Sequence, residues 1–191
     1  MVRKEKFVKG PSGRVVLAAF AALMLYMAFV FPGFGELRLT PVLGDPVFDL
    51  RFLAPPGDSL ALAAALDPEE RRRSIISHWT CDLAYPALYG AFIFLAWRWS
   101  LGRLGADAAR TRALSRLTLA APLLDLAENA CIAWLLASVE SPASATGKAS
   151  AALLSVATPA KWVAVSLAFA GTLLLLLFAA LRIFQANSSI D

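Results

Sequence analysis

The sequence predicts an all-α fold, an integral membrane four-helix bundle with one extramembrane loop segment between helices 1 and 2. Three observations predict it. Of 191 residues, 59% are hydrophobic and only 17% charged, and the mean hydropathy is positive, far from an average soluble domain. Four apolar runs, at about 15–31, 79–97, 114–137 and 150–181, reach the roughly 20 residues that a helix needs to cross a bilayer. Between the first two lies a segment, about 33–77, whose "PVLGDPVFDLRFLAPPGDS" is dense in Pro, Gly and Asp and reads as an external cap rather than a crossing. No internal repeat or low-complexity linker divides the chain, so it reads as one transmembrane domain, residues 1–191.

The first run follows a basic start and resembles a signal peptide in outline. It is long and ends in "FPGFGE" rather than in small residues, so an uncleaved first helix is expected. In the cap, Asp58 is expected to cap a short helix over Leu60 to Leu66. In "LDPEERRRSIISHW", Asp67 is placed to be an N-cap, Pro68 the first helical residue, and Glu69 and Glu70 the acidic first turn. This helix begins in water and runs into the second span, with Arg71 to Arg73 anchoring at the headgroups. The last run exceeds one crossing and carries Pro159 near its start, which predicts a kink or a broken first turn.

The basic residues cluster. Arg3, Lys4, Lys6, Lys9 and Arg14 precede the first span, and Arg98, Arg103, Arg110, Arg112 and Arg116 surround the second connection. An excess of Lys and Arg marks cytoplasmic segments, so both termini are expected in the cytoplasm, in a bacterial inner (plasma) membrane. These clusters hug predicted helix ends without interleaved aromatics. That pattern speaks against nucleic acid and for membrane lipids, through anionic headgroups, as partners.

Several chemistries lack their residues. There is no GxSxG elbow, HExxH or P-loop, and "GRLG" at 102–105 reads only as a loop. Carboxylates three apart resemble half of a di-iron helix pair, but the Glu-x-x-His partners are missing. His78 is the only histidine and reads as an interfacial residue. No cofactor and no metal are therefore expected. Cys81 and Cys131 form no CxxC pair and read as buried thiols, although neighbouring helices would bring a disulfide within reach.

What remains is polar chemistry inside apolar runs. A charge at the bilayer centre costs roughly 2.5 to 3.5 kcal/mol on insertion scales, so such residues face a protein interior and often serve function. Asp82, Tyr85 and Tyr89 share one face of the second span, at offsets of three and seven. Asp125, Glu128 and Asn129 share one face of the third, while Thr158, Lys161 and Trp162 sit together on the fourth. At about 1.5 Å per residue, all fall roughly 6 to 21 Å below the outer surface although the helices alternate in direction. Asp82, Asp125 and Glu128 oppose only Lys161, so at least one carboxyl is expected to keep its proton while Lys161 stays charged. Asp82, Asp125, Glu128 and Lys161 are the candidate catalytic groups, and Tyr85, Tyr89, Asn129, Thr158 and Trp162 the candidate ligand-binding ones. The tyrosines taken alone read more simply as packing residues with satisfied hydroxyls.

"DLAYPALY", "LDLAEN" and "TPAKW" together resemble a family of small, functionally uncharacterised four-helix membrane proteins. Its segments are Asp-x-x-[Phe/Tyr]-Pro-x-x-Tyr, Asp-x-x-Glu-Asn and Thr-x-x-Lys, in this order. The resemblance spans roughly Phe48 to Val165 and implies a shared site at Asp82, Tyr85, Pro86, Tyr89, Asp125, Glu128, Asn129, Thr158 and Lys161, with no known reaction attached. A looser analogy of mechanism links the chain to sterol-isomerase-like membrane proteins, whose bundles hold acids and aromatics around a lipophilic ligand.

Three functions fit these residues. The first is binding or conversion of a lipid or other apolar small molecule by acid–base chemistry, with one protonated carboxyl as acid, its neighbour as base and Lys161 stabilising negative charge. The second is a proton-coupled carrier or small channel, which with so few helices would require a homo-oligomer. The third is a structural or assembly subunit whose buried polar residues only specify packing.

Overall fold

The computed structural model describes residues 10–30, 48, 51–138 and 144–188. The first part of the expected external cap, residues 33–47 with 49 and 50, and residues 139–143 between the third and fourth apolar runs lie outside the described residues. Those described are all-α, without strands. Helix α1, Gly13–Leu25, continues as one π-helical turn over Tyr26–Val30. Then follow α2, Pro56–Ala65, α3, Pro68–Arg103, α4, Ala108–Leu117, α5, Ala120–Ala137, and α6, Ala145–Ser188.

Local chemistry explains most boundaries. Asp67 caps α3 and Glu70 reaches back to its backbone N–H, closing a capping box at 2.8 and 2.9 Å that satisfies two free donors at once. In the same exposed first turn, hydrogen bonds from Arg72 and then Arg73 pull the Glu69 carboxyl down to about 2. The far end of α3 closes on Gly105, which adopts a φ of +82°. Gly105 donates to Gly102 and Ala106 to Leu101, the paired terminal bonds that favour glycine. "GRLG" is thus a helix terminus. Asp107 then caps α4, and the Arg110 N–H at 2.7 Å holds its carboxyl below the usual range.

Two expectations are corrected. The short helix starts at Pro56, with Pro55 in the cap position and no side-chain cap; Asp58 lies in its first turn, because proline at the start needs no donor to be satisfied. The third apolar run is two helices, α4 and α5, separated at Thr118 and Leu119. Pro122 supplies no N–H to the Thr118 carbonyl and its ring crowds it, so the helix restarts with Pro122 in the first turn. Ser115 and Thr118 hydroxyls bond backbone carbonyls at the break. Helix α6, by contrast, runs unbroken through Pro159.

Three stretches are long and apolar enough to cross a membrane: Gly13–Val30, Ala108–Ala137 and Ala145–Ala186. Helix α3 is not among them, since Asp82, Tyr85, Pro86 and Tyr89 dilute its apolar run and its first turns are charged. It contacts α1, α4, α5 and α6. Gly13 lies against Trp99 and the Tyr26 hydroxyl donates to the Cys81 carbonyl at 2.7 Å, so α1 and α3 are antiparallel. A Cβ at Gly90 would sit 2.9 Å from the Pro122 ring, so α3 and α5 approach as closely as glycine permits. Trp97 donates to Thr172 at 2.9 Å, and Tyr89 meets Phe169, which sets α3 and α6 parallel. The outward faces are apolar: Leu17, Phe29, Val156, Leu167, Leu173 and Phe184 are all exposed, the pattern of a bundle solvated by lipid.

Two apolar cores stabilise the bundle. One joins Phe48, Ala63 and Leu66 to Ile132, Leu135, Ala151 and Leu154, where α2 seats on α5 and α6. The other joins Leu23, Tyr89, Phe92, Ile93, Ala121 and Ala168. Along α5 the segment between Ala121 and Ile132 holds Asp125, Glu128 and Asn129, and along α6 the segment between Leu154 and Ala168 holds Thr158 and Lys161. The polar residues form a layer between the two cores.

Candidate functional site

Helix α5 supplies the acids. Offsets of three and four put Asp125, Glu128 and Asn129 on its inward face, and all are buried, Glu128 completely. Helix α6 brings Lys161, 6% exposed, to the same depth. Its ammonium pairs directly with Glu128 Oε2 and stands 3.9 Å from Asp125 Oδ1. It also lies 5.1 Å from the ring centre of Trp162, an attraction between cation and π-face. Helix α3 completes the group: the Tyr89 hydroxyl donates to Asp125 Oδ2 at 3.0 Å, and Tyr85 packs edge-on against Tyr89. Tyr89, Asp125, Glu128 and Lys161 are therefore one connected set from three helices.

The other expected residues occupy its border. Thr158 is buried one turn before Lys161, and Trp162 and Tyr85 are half-buried. Asn129 donates its amide to the backbone carbonyl of Asp82 at 3.0 Å. That carbonyl lies four residues before Pro86, so the proline leaves it without its helical N–H. Asn129 closes this gap and ties α5 to α3. The half-buried Asp82 carboxylate stands 3.9 Å from His78 Nε2.

His78, read from the sequence as an interfacial residue, is 8% exposed, and its Nδ1 lies 2.7 Å from the Ser74 carbonyl, an orientation that turns Nε2 toward Asp82. The i,i+4 spacing of His78 and Asp82 was the available signal. Tyr26, whose hydroxyl reaches the Cys81 carbonyl, carried no comparable signal, because the contact spans 55 residues. Cys81 and Cys131 are both free thiols. Among the described residues, no three His, Cys, Asp or Glu side chains converge as a metal site would require.

The set holds two acids for one base in a layer closed above and below by apolar cores. Such a site can keep a proton on one carboxyl, donate hydrogen bonds from Tyr89 and Lys161, and stabilise a negative charge at the ammonium. Comparison of the chain with protein-family models, with curated proteins and with solved structures returns no match.

Proposed function

We propose that the chain is a multi-pass membrane protein that binds, and by acid–base chemistry converts, a lipid or another apolar small molecule at the layer of Tyr89, Asp125, Glu128 and Lys161. The observation that carries this reading is the completely buried Glu128 paired with Lys161 while a second acid, Asp125, stands 3.9 Å from the same ammonium. A staple between two helices needs one acid and one base. A surplus carboxyl beside Tyr89 supplies a proton-exchanging group. The ligand's polar end would meet Asp125, Tyr85 and Lys161, with Asp82, Asn129, Thr158 and Trp162 bordering it.

Helix α3 would be the fourth crossing. Its packing against α1, α5 and α6 exempts much of its surface from lipid, so it tolerates polarity that a lipid-facing helix would not. Both termini would then be cytoplasmic, and the motif resemblance to small four-helix membrane proteins would follow from the same three segments.

The test is extraction of small molecules from purified wild type and Asp125→Asn at equal folded amounts, read by mass spectrometry. A molecule enriched with the wild type and lost with the variant supports the proposal. Identical extracts count against it. A packing role is favoured at one position, Asn129, whose amide serves the carbonyl that Pro86 leaves open.

A further inference from the structure

At the end of the bundle away from the acid–lysine layer, where α1 begins and α3 finishes, two cavities meet at Trp99. The first, about 440 Å³, is a groove between α1 and α6 floored by α3, with Val16, Phe20, Phe92, Phe169 and Leu173 on its walls. Its one polar lining group other than Trp99, the Thr172 hydroxyl, is already engaged by Trp97 and the Ala168 carbonyl. The groove thus offers an apolar occupant no competing polar group. It opens sideways, toward the face where Leu17 and Leu173 are exposed.

The second cavity, about 400 Å³, lies beyond Trp99 and is lined by Ser12, Arg98, Arg103 and Thr111 among others, with no acidic residue among the described residues of its lining. Arg98 Nε and Trp99 Nε1 are buried here without a hydrogen-bond partner among the described residues. Buried donors left unmatched are costly, and charged ones more so. The N-cap of α1, Ser12, lines the same cavity, which brings the positive end of that helix to its edge. Arg98, Arg103 and the start of α1 favour an anion, the Trp99 N–H calls for an acceptor, and the apolar groove adjoins at Trp99.

We propose that these two cavities, which share Trp99, together bind one anionic glycerophospholipid. An acyl chain lies along α1 and α6, and the phosphate sits against Arg98, Arg103 and the start of α1. The assignment does not rest on any function of the intramembrane acids, and Asp125→Asn should leave it untouched.

The test is native mass spectrometry of the full chain in detergent, titrated with phosphatidylglycerol and phosphatidylcholine of identical chains. The wild type should retain phosphatidylglycerol about tenfold better, because both lipids offer the phosphate but only phosphatidylcholine adds a cation that the two arginines repel. Arg103→Gln, at an exposed position, and Arg98→Gln should each erode that preference, while Leu173→Trp, which fills the groove, should reduce retention of both lipids. Equal retention of the two lipids by the wild type would overturn the proposal. So would variants that bind as the wild type does, or a lipid-free dimer that Leu173→Trp dissociates, which would make a second copy the occupant.

Discussion

The side-chain amide of Asn129 donates to the backbone carbonyl of Asp82 at 3.0 Å, the carbonyl that Pro86 deprives of its helical donor. A proline inside α3 is thus repaired from α5, and the repair fixes the rotation of one helix against the other. Asn129→Ala should cost about 1 to 3 kcal/mol, the penalty of a buried acceptor left unmatched. In a Pro86→Ala background residue 86 regains its N–H, and the cost of Asn129→Ala should shrink. Unfolding of the four proteins in detergent measures the coupling; equal costs in both backgrounds would refute the repair.

Glu128 and Asp125 should behave differently although they stand one turn apart. Glu128→Gln removes the direct partner of a buried ammonium and should cost roughly 3 to 5 kcal/mol. Adding Lys161→Met should restore most of that loss, because a neutral pair leaves no buried charge. Asp125→Asn keeps an oxygen for Tyr89 to donate to and leaves the Lys161–Glu128 pair intact, so folded yield should stay near wild type. The same unfolding assay separates the three variants, and a collapse of Asp125→Asn would reassign the second acid to packing.

The exposed start of α3 titrates. The Glu69 carboxyl is drawn below its usual value by Arg72 and Arg73, so its folded pKa is lower than its unfolded one. Its contribution is fully present above the unfolded value of 4.5 and fades as pH falls through about 2. Protection of the amides in the first turn of α3, taken relative to their intrinsic exchange rates, should therefore fall over that window. Glu69→Gln should show the acid-side protection already at neutral pH and little further change.

The proposed orientation rests on the basic clusters. If α3 is the fourth crossing, a protease site or tag placed before Arg3 should be cut only from the cytoplasmic side, and one after Asp191 likewise, since four crossings would return the chain to its starting side. Termini on opposite sides would mean that α3 does not cross and would remove the four-span bundle.

Parts of this architecture were legible in the sequence because they depend on local chemistry. The Asp67 to Glu70 capping box is written in four residues, and the offsets among Asp125, Glu128 and Asn129 place them on one face whatever surrounds the helix. Legibility ended where two helices must be rotated against each other. Spacing brings Asp82, Asp125, Glu128 and Lys161 to a common depth but does not say that Lys161 takes Glu128, that Tyr89 takes Asp125, or that Asp82 faces His78. The break before α5 was overlooked because an apolar run hides a restart, although Ser115, Thr118 and Pro122 together mark one. The Asp58 cap failed because Pro55 and Pro56 start the short helix earlier without any side-chain acceptor.

The reading of the acid–lysine layer as a ligand site is tested most directly by an experimental structure of the full chain in a lipid bilayer disc, inspected between α3, α5 and α6. The account predicts non-protein density whose polar end lies within hydrogen-bond distance of Asp125 or Lys161 and beside Tyr85. A bundle that retains no such density, with Asp125 and Lys161 contacting protein side chains alone, would contradict it.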